Sequence, residues 1–135
     1  MPVDRLLPTD DARDLIELTR DICTRTLAPI VDESERRREF PLDVYRVLGK
    51  AGLLALPYPE AFGGTAQPYE VYLQVIEEIG TTWMSVAVGT SVHTLTCFPL
   101  AEFGTREQQE ALLPDMTAGL APGGEGLTAG SKVGY

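Results

Sequence analysis

The chain has 135 residues, of which 44% are apolar and 23% charged, with a formal net charge of −9 at pH 7. That length suits one domain around a single core, and the composition is ordinary for a globular protein. The acidic balance argues against a nucleic-acid or anionic-membrane partner, which would need a positive patch, and no apolar run is read as reaching the roughly 20 residues that span a bilayer.

The start, "MPVDRLLPTDD", lacks the basic opening and long apolar stretch of a signal peptide. Apolar spacing then reads as helix almost throughout. The first helix is predicted to begin at Thr9 or Asp10, where a side-chain oxygen can cap free N–H groups ahead of an acidic first turn. Leu15, Leu18 and Ile22 recur at helical spacing, and the pattern fades at Ala28-Pro29. Pro29 has no amide donor, so it either opens a second helix or kinks a continuous one. The "ERRRE" run beyond it (Glu35–Glu39) is bracketed by its own acids and reads as a solvated face.

Phe40-Pro41 opens the next helix, because proline suits a position whose amide has no partner. Val44, Val47, Leu48 and Ala51 form its apolar stripe, and Gly52 is placed to stop it in a left-handed turn. "LLALPYPEAFGG" comes next, a connector dense in breakers. Pro68 opens a helix with a broad stripe of Val71, Tyr72, Val75, Ile76 and Ile79, expected to end at Gly80.

From Trp83 to Phe103 the only charged residue is Glu102. A helix apolar on every side is expected to be buried between neighbours, with Pro99 kinking it or ending it early. Gly104 closes it. Thr105 and Gln108 stand at capping-box spacing and open the last helix, which is expected to run to Pro114. After Gly119 the chain turns glycine-rich and aperiodic. The predicted fold is an all-α bundle of about six helices over residues 1–119, with 120–135 an irregular tail or the start of a further, missing part.

Few constellations suggest chemistry. Glu77-Glu78 comes directly after an inward-facing Ile76, so both carboxylates are expected at the helix edge or in water. His93 and Cys97 share a helix face four residues apart, the spacing of half a zinc site or of a nucleophile pair. His93 is the only histidine, no second ligand pair exists, and packing or a local hydrogen bond is the expected role. Cys23 and Cys97 form no CxxC pair. A disulfide is open, but reduced thiols in a cytoplasm are the default. "GEGLTA" (Gly124–Ala129) matches a dinucleotide-binding pattern without the strand and helix that give the pattern its mechanism, and is read as accidental. Small side chains at Ala87 and Ser91 either let helices approach closely or leave room for a ligand.

The order of these signals resembles a known family. "APIVDESERRREFPLDVYRVLGKAGLLALPYPEAFGG", then "EEIGTTWMSVAVGTSVHTL", then "FGTREQQEALLPDMTAG" are similar to successive signatures in the N-terminal helical domain of flavin-dependent acyl-CoA dehydrogenases, enzymes of fatty-acid metabolism. The resemblance implies that the proline- and glycine-rich connector is architectural. In the full-length family, FAD lies mainly against later domains, and a glutamate from a second helical domain removes the α-proton of an acyl-CoA thioester while the β-hydrogen leaves as hydride to flavin. It also implies that this domain supplies acyl-pocket walls, which fall here on Ala87, Val88, Ser91, Val92 and Leu95. Small Ala87 and Ser91 would leave space at the floor for a long or bulky acyl group.

The family continues with L-T-E-P-x-A-G-S-D. Here "GLTAGSKVGY" keeps Leu127-Thr128 and Ala129-Gly130-Ser131, lacks the E-P dipeptide, and has Lys132 in place of the aspartate. The expectation is therefore a chain truncated before the middle β-domain, with no catalytic residue of its own, inactive alone and not retaining FAD. Its partners would be acyl-CoA together with a complementary chain or a second copy. The other expectation is a non-enzymatic helical module that binds a partner through a face once covered by the missing domains.

Overall fold

The computed structural model describes residues 5–118. It contains six α-helices: α1 (Asp10–Ile22), α2 (Val31–Arg37), α3 (Leu42–Lys50), α4 (Tyr69–Thr82), α5 (Met84–Phe103) and α6 (Arg106–Thr117). No strand occurs among the described residues, and the expected all-α bundle is the fold found. The tail over 120–135, with "GEGLTA" inside it, lies outside the described residues. Helix α4 is central: it packs on α1 and on α5, and α5 in turn carries α6.

The helix ends obey their local chemistry. Thr9 caps α1, its Oγ1 accepting from the Ala12 N–H at 3.1 Å. Thr105 and Gln108 form the reciprocal capping box: Gln108 N–H donates to Thr105 Oγ1 at 3.3 Å, and Thr105 N–H donates to Gln108 Oε1 at 2.9 Å. Gly52 ends α3 at φ +77°. Its N–H reaches the Gly49 carbonyl at 3.0 Å and the Leu53 N–H reaches Leu48 at 2.9 Å, the paired bonds of a Schellman closure.

Several expectations need correction. In α1 the buried residues are Ala12, Ile16, Thr19 and the expected Ile22, with Leu15 partly buried against the core, whereas Leu18 is 41% exposed. Thr19 can face inward because its hydroxyl donates to the Leu15 carbonyl at 2.7 Å, which removes the penalty for hiding a polar atom. After Ile22 the helix widens into a π-turn, Cys23–Leu27, where Ala28 N–H donates to the Cys23 carbonyl at 2.9 Å. Pro29 lies in the turn that separates this segment from α2, within neither helix. "ERRRE" is the solvated face expected, all five of its residues being exposed. Arg36 and Arg37 pair with Glu33 on the surface. Glu35 instead accepts the Trp83 indole N–H at 2.6 Å and the Ser85 hydroxyl at 2.8 Å, tying α2 to the start of α5. Those two hydrogen bonds hold its carboxyl below the usual range.

The first part of the connector is buried: Leu53, Leu54, Ala55 and Leu56 are inaccessible to solvent. It bends through a 3₁₀ turn, Glu60–Phe62, into Gly63 at φ +83°. A Cβ on Gly64 would sit 1.8 Å from the Tyr58 carbonyl oxygen, so only glycine lets the chain fold back this closely. Thr117 of α6 secures the turn by donating to the Phe62 carbonyl at 2.7 Å.

Gly80 does not end α4, which continues to Thr82; extended Trp83 both closes α4 and opens α5. Nor does Pro99 end α5, which runs through it to Phe103, just as α6 runs through Pro114 to Thr117. The largest correction concerns the burial of α5. Its inner face carries Thr90, His93, Thr94 and Cys97, while Val88 is 54%, Leu95 68% and Phe103 81% exposed. The inner hydroxyls are satisfied locally: Thr90 donates to the Val86 carbonyl at 2.8 Å and Thr94 to that of Thr90 at 3.1 Å. Three polar residues thus share the inner face with Val86, Ala87 and Cys97, while several large apolar ones point out. By length and composition alone α5 is also apolar enough to cross a membrane, contrary to the reading from sequence, although its inner face is committed to the core.

Candidate functional site

The outer side of α5 and the adjoining edge of α4 enclose a groove of about 490 Å3. Ile76 and Gly80 of α4 face Met84, Ala87, Val88 and Ser91 of α5 across it, with Val92 at one end and Glu77 and Thr81 on the rim. The two helices are joined only through Trp83 and run side by side. Small residues on both, Gly80 on one and Ala87 and Ser91 on the other, keep the floor open between the larger walls.

Of the five residues that the sequence points to, Ala87, Val88, Ser91 and Val92 line this groove. Ala87 is buried at its floor and the other three stand along its more open side. Leu95 lies one turn beyond Ser91 on the same exposed side but does not line it. The facing wall is not legible in the sequence. Apolar spacing places Ile76 in the core stripe, and Gly80 reads there as a stop signal. Their four-residue spacing marks a shared face, but nothing in the sequence says that α5 lies beside it.

The charged groups near the groove are already paired. The Arg5 guanidinium reaches Glu77 at 3.0 Å and Glu78 at 2.7 Å, and Arg20 reaches Glu78 at 2.9 Å. Glu77 does face solvent, as expected. Glu78 is instead held in a clamp of two arginines with its side chain 13% exposed. Burial pushes its carboxyl up, but Arg20 and Arg5 together outweigh that and leave it below the usual range. A carboxylate stabilised in its charged form is a poor proton acceptor, so no base is assigned to this pair.

His93 and Cys97 sit on the opposite, inner face of α5. His93 Nε2 donates to the Met116 carbonyl at 2.8 Å, and Cys97 Sγ lies 3.8 Å from the same nitrogen. Burial lowers the imidazole's pKa and pushes the Cys97 thiol up to about 12. The thiol is held neutral near pH 7, the opposite of an activated nucleophile. The pair packs and bonds locally, linking α5 to α6. Among the described residues no three His, Cys, Asp or Glu side chains converge as a metal site would require.

Comparison with known proteins adds an independent line. Residues 9–120 match the family model described as the acyl-CoA dehydrogenase N-terminal domain. The chain is 32% identical over 133 residues to the probable acyl-CoA dehydrogenase YngJ of Bacillus subtilis, covering 93% of this chain and 34% of that protein. It is likewise 32% identical over 125 residues to the mitochondrial short-chain specific acyl-CoA dehydrogenase of Homo sapiens, covering 87% of this chain and 30% of that protein. Among solved structures, butyryl-CoA dehydrogenase from Megasphaera elsdenii superposes with a TM-score of 0.76 at 24% identity, over 87% of this chain and 31% of that one, which speaks to the fold. The chain spans about a third of the length of the curated relatives it matches.

Proposed function

Since the chain belongs to the acyl-CoA dehydrogenase family through its N-terminal domain, we propose that it supplies the acyl-chain wall of an enzyme that dehydrogenates acyl-CoA thioesters between the α and β carbons. The observation that carries this reading is the groove between α4 and α5. Its lining is almost wholly apolar, and its size suits a small-molecule hydrocarbon chain. Ala87, Val88, Ser91 and Val92 form one side, and Leu95, outside the groove itself, would continue that side beyond its end. Desolvating the acyl chain there drives its binding, at roughly 0.8 kcal/mol per buried methylene.

The family is FAD-dependent, the flavin accepting the hydride when bound. The groove does not fit that cofactor: its floor is apolar, and the nearby Arg5 and Arg20 are engaged by Glu77 and Glu78 rather than facing a pyrophosphate. No step through flavin is derived from these residues. We assign residues 1–119 to the helical domain and 120–135 to the approach to the next domain of the longer relatives. These 135 residues alone should retain no FAD and reduce no electron acceptor when mixed with acyl-CoAs; robust turnover would overturn that. Cys23 and Cys97 are separate buried thiols, in keeping with a reducing cytoplasm.

Titrating the 15N-labelled chain with octanoyl-CoA tests the groove. Amide shifts should cluster at Gly80, Ala87, Val88, Ser91 and Val92. Shifts confined to Glu35, Trp83 and Ser85, where α2 is tied to the start of α5, or none at all, would remove the reading. A second reading, a helical interaction module, is favoured by the outward apolar side of α5, where Met84, Leu95 and Phe103 are exposed. Sedimentation separates the two: a concentration-independent monomer that takes up no hydrophobic dye rules out the module.

A further inference from the structure

Gly80 stands inside α4, two residues from its end, where glycine is the least stable choice after proline. The other close-packed glycines explain themselves. A Cβ on Gly64 would strike the Tyr58 carbonyl at 1.8 Å, and one on Gly89 would strike the Tyr45 hydroxyl at 1.9 Å. Gly80 has no such reason. Its backbone is helical, and a Cβ there would meet Ala87 Cβ at 3.5 Å and Met84 Cε at 3.8 Å, ordinary van der Waals distances. The fold would accept alanine and gain from it. What alanine or anything larger would take away is space, because Gly80 and Ala87 face each other across the groove floor.

We propose that Gly80 is a specificity-determining residue: its missing side chain sets how far an acyl chain can enter, so that the groove takes the end of a straight saturated chain against Gly80 and Ala87. This rests on the acyl-groove reading above. The surrounding chemistry supports a plain hydrocarbon end. Ile76 and Val88 offer only apolar surface, and Met84 is an unbranched thioether that can adjust to the chain's terminus. The rim acid Glu77 is neutralised by Arg5 and does not place a bare charge over the entering chain. A glycine kept at a conformational disadvantage, in a place where packing leaves it free, is accounted for if the groove's depth is what it serves.

The test is calorimetric titration of the full chain, Gly80→Ala and Gly80→Leu with butyryl-, hexanoyl-, octanoyl- and decanoyl-CoA, together with urea unfolding of each. In the unsubstituted chain affinity should rise about fourfold per added methylene until the groove is full. In Gly80→Leu the rise should stop at a shorter acyl chain while butyryl-CoA binds as before, and Gly80→Ala should fall between. The Gly80→Ala urea midpoint should rise by about half a molar. Unchanged affinity for decanoyl-CoA in Gly80→Leu overturns the inference, as does a lowered midpoint in Gly80→Ala, which would make the glycine structural. If the unsubstituted chain binds no acyl-CoA, the acyl-groove reading itself fails and this inference falls with it; binding that ignores position 80 leaves that reading standing and removes only this one.

Discussion

Replacing Gly89 by alanine places a methyl group 1.9 Å from the Tyr45 hydroxyl and 3.0 Å from its Cζ. Tyr45 cannot easily retreat. It is buried, its ring stacks on Phe40 with centroids 5.0 Å apart, and its hydroxyl donates to the Val86 carbonyl at 3.3 Å. Two effects oppose each other. Alanine improves helix propensity by about 1 kcal/mol over glycine. Overpacking costs about 1–3 kcal/mol, and displacing the hydroxyl forfeits a hydrogen bond worth about 1 kcal/mol. The balance predicts that Gly89→Ala destabilises the chain by about 1–3 kcal/mol, despite being a favourable substitution for a helix considered alone. Urea unfolding monitored by fluorescence of Trp83, the single tryptophan, should show a midpoint lowered by about 1 M. In a Tyr45→Phe background the hydroxyl is gone and only the 3.0 Å ring contact remains, so the same substitution should cost less by about 1 kcal/mol or more, the coupling expected of residues in contact. A stabilising Gly89→Ala, or an equal cost in both backgrounds, would refute the close approach of α3 and α5 on which the reasoning stands.

Gly64→Ala drives a methyl into two carbonyl oxygens, at 1.8 Å from Tyr58 and 2.8 Å from Ala55; because backbone must move, the expected loss is about 3 kcal/mol or more, read from the same urea midpoint. On the acid side, Glu78 has a lowered folded pKa, so its contribution is present above the unfolded value and disappears as pH falls through the folded one. Stability should therefore drop below about pH 4.3, and the slope there should flatten in Glu78→Gln. On the alkaline side, burial raises Tyr45 and Cys97 each to about 12, so their contribution is complete below the unfolded values and is lost as pH rises through the folded ones. Stability should decline from about pH 9 upward, and both buried thiols should react with a disulfide reagent only as fast as the chain opens; prompt labelling of Cys97 in the folded chain would contradict its burial.

Much of the framework is legible in the sequence because helix ends are settled by near neighbours. The orphan N–H and C=O groups of a terminus must be satisfied within a few residues, so Thr9, Gly52 and the Thr105–Gln108 box announce α1, the end of α3 and the start of α6. The candidate site is half legible. Ala87, Val88, Ser91 and Val92 share a face by helical spacing alone, but Ile76, Gly80 and Met84 join them only when α4 and α5 lie side by side. Prolines mislead as terminators. Pro99 and Pro114 each remove one donor, yet α5 and α6 continue, held by contacts with the rest of the bundle.

The sequence by itself determined that this chain is helical, where most helices begin, and which family its ordered motifs resemble. Local hydrogen-bond satisfaction and short-range apolar spacing suffice for these. The tertiary structure alone decided which side of α5 faces out, because a helix apolar all round carries no periodic signal and its threonines can satisfy their hydroxyls on its own carbonyls. It alone brought Arg5 to Glu77 and Glu78 across more than seventy residues, and it alone turned Gly80 from an expected stop into part of a groove floor. Pairing and burial depend on partners remote in the chain, and such partners are fixed only when the helices pack.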